Sequence, residues 1–231
     1  MNTALILAGG SGTRMGIDCP KQFLTVRNKP IISYCFDIFQ NHSEIDAMVV
    51  VVSDEWRDFV EESARKYGVD KLCGFAPAGK TRQHSIYNGL KCIAENCPDT
   101  DIVIVHDAAR PLVSDKIISD CIQGATECDG AMPVISVKDT VYQSKDGKTI
   151  DHLLKRSELF AGQAPESFKF KKYYQIHNEV TDEEIGSTAG SSEIAYRHGM
   201  EIRMVSGSER NLKITTIEDL ETFEAILKGE I

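Results

Sequence analysis

The residues best suited to chemistry lie in a glycine-rich stretch near the N-terminus. Ala8, Gly9 and Gly10 follow a short apolar run, and Arg14 and Lys21 come soon afterwards. Small residues let the backbone approach a ligand closely, and successive N–H groups in such a loop form a concave anion site. Two cations within and just after the loop can neutralise a triphosphate that backbone amides stabilise only in part. The combination indicates a nucleotide phosphate site.

This stretch departs from two common phosphate-binding motifs. A P-loop would end in a Lys-Ser/Thr pair after its last glycine, and a dinucleotide fingerprint would have glycine where Met15 stands. An NAD-dependent oxidoreductase is therefore disfavoured. The glycines alone are equally consistent with an ordinary strand-to-helix turn, so the prediction of a phosphate site depends on the two cations.

The surrounding sequence predicts an α/β fold. Apolar runs at 4–7, 47–52 and 102–105 are typical of buried parallel strands. Their alternation with helices predicts βαβ units in a single, doubly wound, mostly parallel sheet, with the glycine-rich loop at the carboxyl end of the first strand. Helical patterns occur at residues 31–39, 55–67, 83–95, 115–128 and 217–226.

Residues 137–160 break this alternation. Two short stretches of strand-forming residues, 140–142 and 149–150, flank a turn containing Asp146-Gly147, which indicates a β-hairpin. We expect an arm that projects from one domain of 231 residues and holds a partner subunit.

Bulk composition excludes several classes of protein. A net charge of −9 gives no positive field for nucleic acid, so an anionic substrate must meet a few placed cations or a metal. Seven cysteines without a Cys-x-x-Cys pair suggest reduced thiols. There is neither a signal-peptide pattern nor an apolar run of membrane-spanning length, so a cytoplasmic protein without membrane partners is expected.

Taken in order, five segments resemble the cytidylyltransferases that act on 2-C-methylerythritol 4-phosphate or ribitol 5-phosphate. That family has a Rossmann-like nucleotidyltransferase fold, and the resemblance covers nearly the whole chain. The segments are residues 8–15 with 20–22, 79–85 with 89–90, 106–111, 139–140 and 211–215.

The resemblance implies CTP as the nucleotide and assigns its pocket. Lys80 stands where the family often has an acidic residue, and Ser85 could instead be an ordinary helix-start residue. Backbone groups between small residues can recognise the cytosine edge. The implied nucleotide-binding residues are Ala8, Gly9, Gly10, Gly79, Lys80, Ser85 and Asp107.

The resemblance also implies the catalytic groups. The attacking phosphate has a second pKa of about 6 and needs no general base, so catalysis consists of bringing anions together and stabilising charge. Arg14, Lys21 and Lys213 suit that role. Asp107 is implied as the Mg²⁺ ligand, with Glu209 either a second ligand or a solvated loop residue.

On the acceptor side, the implied residues indicate a homodimer. Arg110 could bind phosphate or anchor its loop, while Arg156 and Thr140 on the arm could instead be a surface ion pair and a strand residue. By resemblance, those two arm residues would enter the neighbouring subunit's site. The full implied set for binding a small polyol phosphate is Ala108, Arg110, Thr140, Arg156 and Thr188.

Two acceptor-side segments depart from the family pattern. Residues 163–166 are Gln-Ala-Pro-Glu instead of Gln-Thr-Pro-Gln, and 186–192 replace a Thr-Asp-Asp/Glu segment, with Ala189 at the acidic position. Features of 144–151 and 162–163 favour ribitol 5-phosphate or a related polyol phosphate, whereas Ala109 favours the methylerythritol branch. A regulatory CTP-binding module without transfer activity is a further alternative, which the retained cationic residues disfavour.

Overall fold

A computed structural model describes residues 1–10 and 19–230. Arg14 and Met15 of the glycine-rich segment lie outside the described residues. The strands are β1 (Asn2–Leu7), β2 (Thr25–Val26), β3 (Lys29–Pro30), β4 (Ala47–Val52), β5 (Leu72–Pro77), β6 (Ile102–Asp107), β7 (Gly130–Ser136), β8 (Tyr142–Gln143), β9 (His152–Leu153), β10 (Phe160–Gly162), β11 (Glu166–Lys169) and β12 (Ile202–Ser206).

The helices confirm all five helical patterns found in the sequence, with ends shifted by one or two residues. Three more helices in the C-terminal half had no clear pattern. The helices are α1 (Ile31–Asn41), α2 (Asp54–Lys66), α3 (Arg82–Asn96), α4 (Asp115–Glu127), α5 (Phe170–Glu179), α6 (Asp182–Ser187), α7 (Ser191–Arg197) and α8 (Ile217–Lys228).

The predicted mostly parallel sheet is confirmed. Its strands run in the order β5-β4-β1-β6-β11-β7-β10, with β12 parallel to β7. β1 pairs in parallel with both β4 and β6, whereas β11 is antiparallel to its neighbours. Leu7 at the end of β1 pairs with Val51 on one side and Asp107 on the other, so the carboxyl ends of three strands reach one edge together.

Helices cover both faces of the sheet. Alternate residues of β1 point to opposite sides: Ile6 packs in the core cluster that contains α1 and α4, and Leu5 packs in the cluster that contains α3 and α5. This arrangement explains why the central strands are apolar throughout and show no alternation. It also confirms the doubly wound architecture.

The hairpin predicted between residues 137 and 160 is present, with a different register. β8 and β9 pair Tyr142 with Leu153, while Thr149, expected in a strand, lies in the turn. The Asp146 carboxylate accepts hydrogen bonds at 2.8 Å from the backbone N–H groups of Lys148 and Thr149. This side-chain capping extends the turn beyond Asp-Gly, and the second strand begins at His152, three residues later than predicted.

Over the described ranges 1–10 and 19–230, no helix is long and apolar enough to cross a bilayer. All seven cysteines are free thiols, as expected.

Candidate active site

The side chain of Gln22 fixes the backbone of the glycine loop after β1. The buried Gln22 amide nitrogen donates to the carbonyls of Ala8 at 2.6 Å and Gly10 at 2.8 Å. Gly9 needs to be glycine because a Cβ there would lie 2.6 Å from the Cβ of Ala78 on the next loop. The backbone at Gly9 therefore packs directly against Ala78, an approach that any side chain at position 9 would prevent.

The second loop, residues 79–81, leads into α3 and is fixed by Ser85. Its hydroxyl accepts from the Gly79 N–H at 2.9 Å and donates to the Thr81 carbonyl at 3.0 Å, while Thr81 caps the helix. A Cβ at Gly79 would approach the His84 Cβ to 2.4 Å. Ser85 is thus both a first-turn helix residue and the residue that shapes this loop.

Asp107 ends β6 and is held by two cations. Its Oδ2 accepts from Lys213 Nζ at 2.7 Å, and its Oδ1 accepts from Arg82 Nε at 3.2 Å. Burial favours the neutral form, but the charges of Arg82 and Lys213 outweigh it and hold the pKa of Asp107 well below its usual range. The carboxylate is therefore ionised at neutral pH.

His106, next to Asp107, is fully buried. Burial lowers its pKa to about 4, and its Nε2 donates to the Arg110 carbonyl at 3.1 Å. It is thus a neutral, hydrogen-bonded core residue.

Residues 211–215 bring Lys213 to Asp107 by docking on the turn after β6. Ile214 N–H donates to the Ala109 carbonyl at 2.8 Å, and Arg110 donates to the Asn211 carbonyl at 2.5 Å. Arg110 therefore anchors the loop, which is the second of the two roles considered for it.

These loops enclose a cavity of about 470 Å³. Its described lining includes four cations and one carboxylate, so it is cationic although the chain carries a net charge of −9. Such a site attracts a polyanion. The lining residues are Leu7, Gly9, Gly10, Lys21, Gln22, Gly79, Lys80, Thr81, Arg82, Ser85, Asp107, Ala109, Lys213 and Thr215.

Comparison with known proteins then decides the family. The family model described as "IspD: 2-C-methyl-D-erythritol 4-phosphate cytidylyltransferase" matches residues 2–229. The chain belongs to this family. It is accordingly a nucleotidyltransferase of the cytidylyltransferase class, which confirms the resemblance found in five sequence segments.

Its relatives carry two different names. A ribitol-5-phosphate cytidylyltransferase of Lacticaseibacillus paracasei is 33% identical over 99% of this chain and 98% of the relative. A 2-C-methyl-D-erythritol 4-phosphate cytidylyltransferase of Clostridium novyi is 38% identical over 99% of this chain and 97% of the relative. The structure of the latter enzyme type from Francisella tularensis is 26% identical with a TM-score of 0.79, covering 96% of this chain and 97% of that one.

In this cytidylyltransferase, most of the residues predicted to bind nucleotide line one cavity. Ala8 does not: it is buried, its N–H donates to Val51, and it contributes through the carbonyl held by Gln22. Ala108 also differs from expectation, because it lies in the core with no exposed surface. The neighbouring Ala109 faces the cavity instead.

Glu209, the predicted second metal ligand, does not face the cavity. Glu209 is exposed and pairs with Lys138 at 2.8 Å, away from the cavity lining. Within 1–10 and 19–230 no group of three or more His, Cys, Asp or Glu side chains could hold a metal ion. Asp107 is therefore the one predicted metal ligand that faces the cavity.

None of the five predicted substrate residues lines the cavity of the single chain: besides Ala108 and Arg110, the other three also lie outside it. Thr188 is buried, with its hydroxyl donating to the Glu184 carbonyl at 2.7 Å. On the arm, Thr140 is exposed, and the exposed Arg156 donates to the Lys138 carbonyl at 3.0 Å. Within one chain the arm residues therefore do not contact Asp107 and Lys213.

Several residues that line the cavity were missed from the sequence, among them Arg82 and Gln22. Arg82 lines the cavity and pairs with Asp107, and Gln22 supports the glycine loop. Gln22 stands in the Pro20-Lys21-Gln22 match and Arg82 in the 79–85 match, so both segments were found. Their side-chain roles depend on contacts across the fold that spacing does not encode.

Proposed function

We propose that the chain transfers a cytidylyl group from CTP to a small polyol phosphate, forming a CDP-polyol and pyrophosphate. The carrying observation is the cavity in which the glycine loop and the loop before α3 face the Asp107–Lys213 pair. One side offers close backbone approach to a base and phosphates, and the other offers charge for the reacting centre.

The geometry suits CTP at the two loops. Gly9 and Gly79 leave no side chain between ligand and backbone, and Ser85 orients the Gly79 backbone. Lys80 is exposed at the rim of the cavity. Backbone groups at this edge recognise cytosine without a charged side chain.

In the reaction, an oxygen of the acceptor phosphate attacks the α-phosphorus of CTP, and the bond to the bridging oxygen of pyrophosphate breaks. The attacking phosphate is largely a dianion at neutral pH, so no protein base removes a proton. Lys21 and Lys213, which face the cavity, stabilise negative charge on the α-phosphate and on the leaving pyrophosphate. Arg14 is assigned the same role from the sequence.

The ionised Asp107 carboxylate fits Mg²⁺, which binds one or two carboxylates together with substrate phosphate oxygens. When bound, Mg²⁺ supplies charge neutralisation for the triphosphate. Lys213 and Arg82 keep Asp107 ionised and directed toward the cavity, whereas Glu209 is turned to Lys138.

For the acceptor we propose ribitol 5-phosphate or a related polyol phosphate. Support comes from the features of the arm and of residues 162–163, and from relatives named ribitol-5-phosphate cytidylyltransferase at 33–34% identity. The second candidate is 2-C-methyl-D-erythritol 4-phosphate, favoured by Ala109 at the cavity wall and by relatives of that name at 35–38% identity.

We further propose that the active form is a homodimer. The arm exposes apolar side chains that a single chain leaves uncovered: Tyr142 is 54% exposed, Ile150 65% and Leu153 66%. With a partner subunit covering these side chains, Arg156 and Thr140 enter the partner's active site. Within their own subunit, both residues lie outside the cavity. Cytoplasmic localisation stays a prediction from the sequence.

Pyrophosphate release tests the proposal and separates the acceptors. The enzyme is incubated with CTP and Mg²⁺ and, in turn, ribitol 5-phosphate, 2-C-methyl-D-erythritol 4-phosphate and glycerol phosphates, with ATP, GTP and UTP as controls. We expect release with CTP and ribitol 5-phosphate. Turnover of methylerythritol phosphate alone would assign the second candidate, and CTP binding without release from any acceptor would support the sensor alternative.

A further inference from the structure

Arg82 is the first residue of α3 and its guanidinium joins three chain segments. Nε donates to Asp107 Oδ1 at 3.2 Å, one terminal nitrogen donates to Ser191 Oγ at 2.5 Å, and the other lies 3.6 Å from Glu166 Oε1. Asp107 ends β6, Glu166 begins β11 and Ser191 begins α7. One side chain thus connects the cavity to the start of a helix outside it.

The far end of this connection is fixed as well. Glu166 Oε2 accepts from both the backbone N–H and the hydroxyl of Ser192, at 2.9 and 2.5 Å, and the Ser191 carbonyl accepts from the Tyr173 hydroxyl at 3.2 Å. The two serines therefore bind both members of the Arg82–Glu166 pair: Ser191 accepts from Arg82, and Ser192 donates to Glu166. They belong to residues 186–192, which depart from the family pattern.

Charge and burial favour arginine at this position. Asp107 is 9% exposed and Glu166 8% exposed, and two nearly buried carboxylates on neighbouring strands require a cation between them. A planar guanidinium offers several donors in fixed directions, whereas a lysine ammonium is one point charge. Arg82 can therefore contact both carboxylates and Ser191 simultaneously.

We propose that Arg82 is a positioning residue for Asp107, and that through it Glu166 and the Ser191–Ser192 start of α7 set the geometry of the nucleotide end of the site. Resting on the proposed function, this gives the altered segments 163–166 and 186–192 a specific task. Their polar side chains stabilise the Asp107–Lys213 pair through Arg82 and do not line the cavity. When Arg82 is lost, Asp107 has Lys213 as its remaining cation, and Lys213 is then less available to phosphate.

The test combines CTP binding with a double-mutant cycle. CTP affinity is measured by calorimetry, together with kcat and both KM values, for Arg82→Gln, Arg82→Lys, Ser191→Ala and the Arg82→Gln/Ser191→Ala double variant. The control is Arg65→Gln, which removes an exposed arginine paired with Glu61 on α2. Thermal unfolding of each variant separates folding defects from positioning.

We expect Arg82→Gln to weaken CTP binding and to lower kcat by about 10-fold or more, with Arg82→Lys restoring a part and Ser191→Ala giving a smaller loss of the same kind. In the Arg82→Gln background, Ser191→Ala should add little. If Arg82→Gln does not fold, Ser191→Ala and Glu166→Gln carry the same expectation of a selective loss in folded protein. The control should match the wild type.

Folded Arg82→Gln with wild-type CTP affinity and kcat would overturn the proposal, as would fully additive losses in the double variant. Failure of the proposed function gives a different result, namely wild-type protein without transfer to any acceptor. In that case the CTP affinities still decide whether Arg82 positions the site.

Discussion

Lys213 Nζ lies 2.7 Å from Asp107 Oδ2, although the two residues are 106 positions apart in the chain. The pairing depends on docking of residues 211–215 against the turn after β6, through Ile214 and Arg110. Since Lys213 is 36% exposed toward the cavity, it can contact Asp107 and a ligand phosphate together. This contact joins the loop before α8 to the carboxyl end of β6.

Lys213→Ala should lower kcat much more than it lowers stability. Removing a group that stabilises transition-state charge typically costs about 10²–10³ in kcat, while Arg82 remains to compensate Asp107. Steady-state kinetics and thermal unfolding measure the two effects, and Lys21→Ala should behave similarly. Lys116→Ala, on the exposed face of α4, is the control. A wild-type kcat in Lys213→Ala would show that Lys213 does not stabilise the transition state.

Ser85→Ala should weaken CTP binding with little effect on kcat. The change removes the acceptor for the Gly79 N–H and so loosens the loop that faces the base. Loss of a hydrogen bond worth about 1 kcal/mol corresponds to a rise in KM for CTP of roughly 5-fold. The control is Ser119→Ala on α4, whose hydroxyl contacts Glu44. An unchanged KM for CTP would place the base elsewhere.

Subunit mixing tests whether the arm acts on the partner's site. Arg156→Ala and Lys213→Ala should each be nearly inactive as homodimers. In a mixed dimer, one of the two sites receives an intact Arg156 from one subunit and an intact Lys213 from the other. After exchange, about a quarter of wild-type activity should return, because half the dimers are mixed and half of their sites are intact. No recovery despite demonstrated exchange would contradict action across the interface.

His177 should make the protein less stable in acid. Burial lowers its pKa to about 4, from an ordinary value of 6.5. Its Nε2 accepts from the Gln83 amide at 2.6 Å, and its Nδ1 donates to the Tyr173 carbonyl at 2.8 Å, an arrangement that requires the neutral ring. Between these two pKa values the unfolded chain binds more protons, so stability falls as pH falls from about 6.5 to 4, by up to about 3 kcal/mol.

Chemical denaturation at several pH values checks this expectation. His177→Gln should reduce the pH dependence of the free energy of unfolding in that range, even if it lowers stability at pH 7, while buried His106, whose pKa is also lowered to about 4, still contributes. His152→Gln, exposed on the arm, is the matched control and should leave the slope unchanged. Equal slopes for wild type and His177→Gln would show that another group is responsible.

The sequence predicted the central sheet because its strands are buried on both faces. Runs such as 47–52 are apolar throughout, and helices such as α1 carry a one-sided stripe that the structure buries. The strands β5, β7, β10, β11 and β12 of the main sheet were not predicted, since each is short or less uniformly buried than the central strands. The hairpin register was wrong because Asp146 caps a wider turn.

The parts of the candidate site that lie within a single sequence motif were predictable. Gly79 and Ser85 lie six residues apart and form one loop, and Asp107 ends a recognisable strand. The roles of Arg82 and Gln22 were not predictable, because they come from contacts outside their own segments: Arg82 binds Asp107 and Ser191, and Gln22 binds the carbonyls of the glycine loop. Ala109 faces the cavity, where Ala108 was expected to do so. Which of two adjacent turn residues points into a cavity depends on the backbone conformation of the turn.

The most direct test of the central claim is product analysis with CTP labelled at the α-phosphate, Mg²⁺ and ribitol 5-phosphate or 2-C-methyl-D-erythritol 4-phosphate. The account predicts that the label appears in a CDP-polyol, with one pyrophosphate released for each product molecule. Label appearing only in CMP, or remaining in CTP with both acceptors present, would contradict cytidylyl transfer by this cavity.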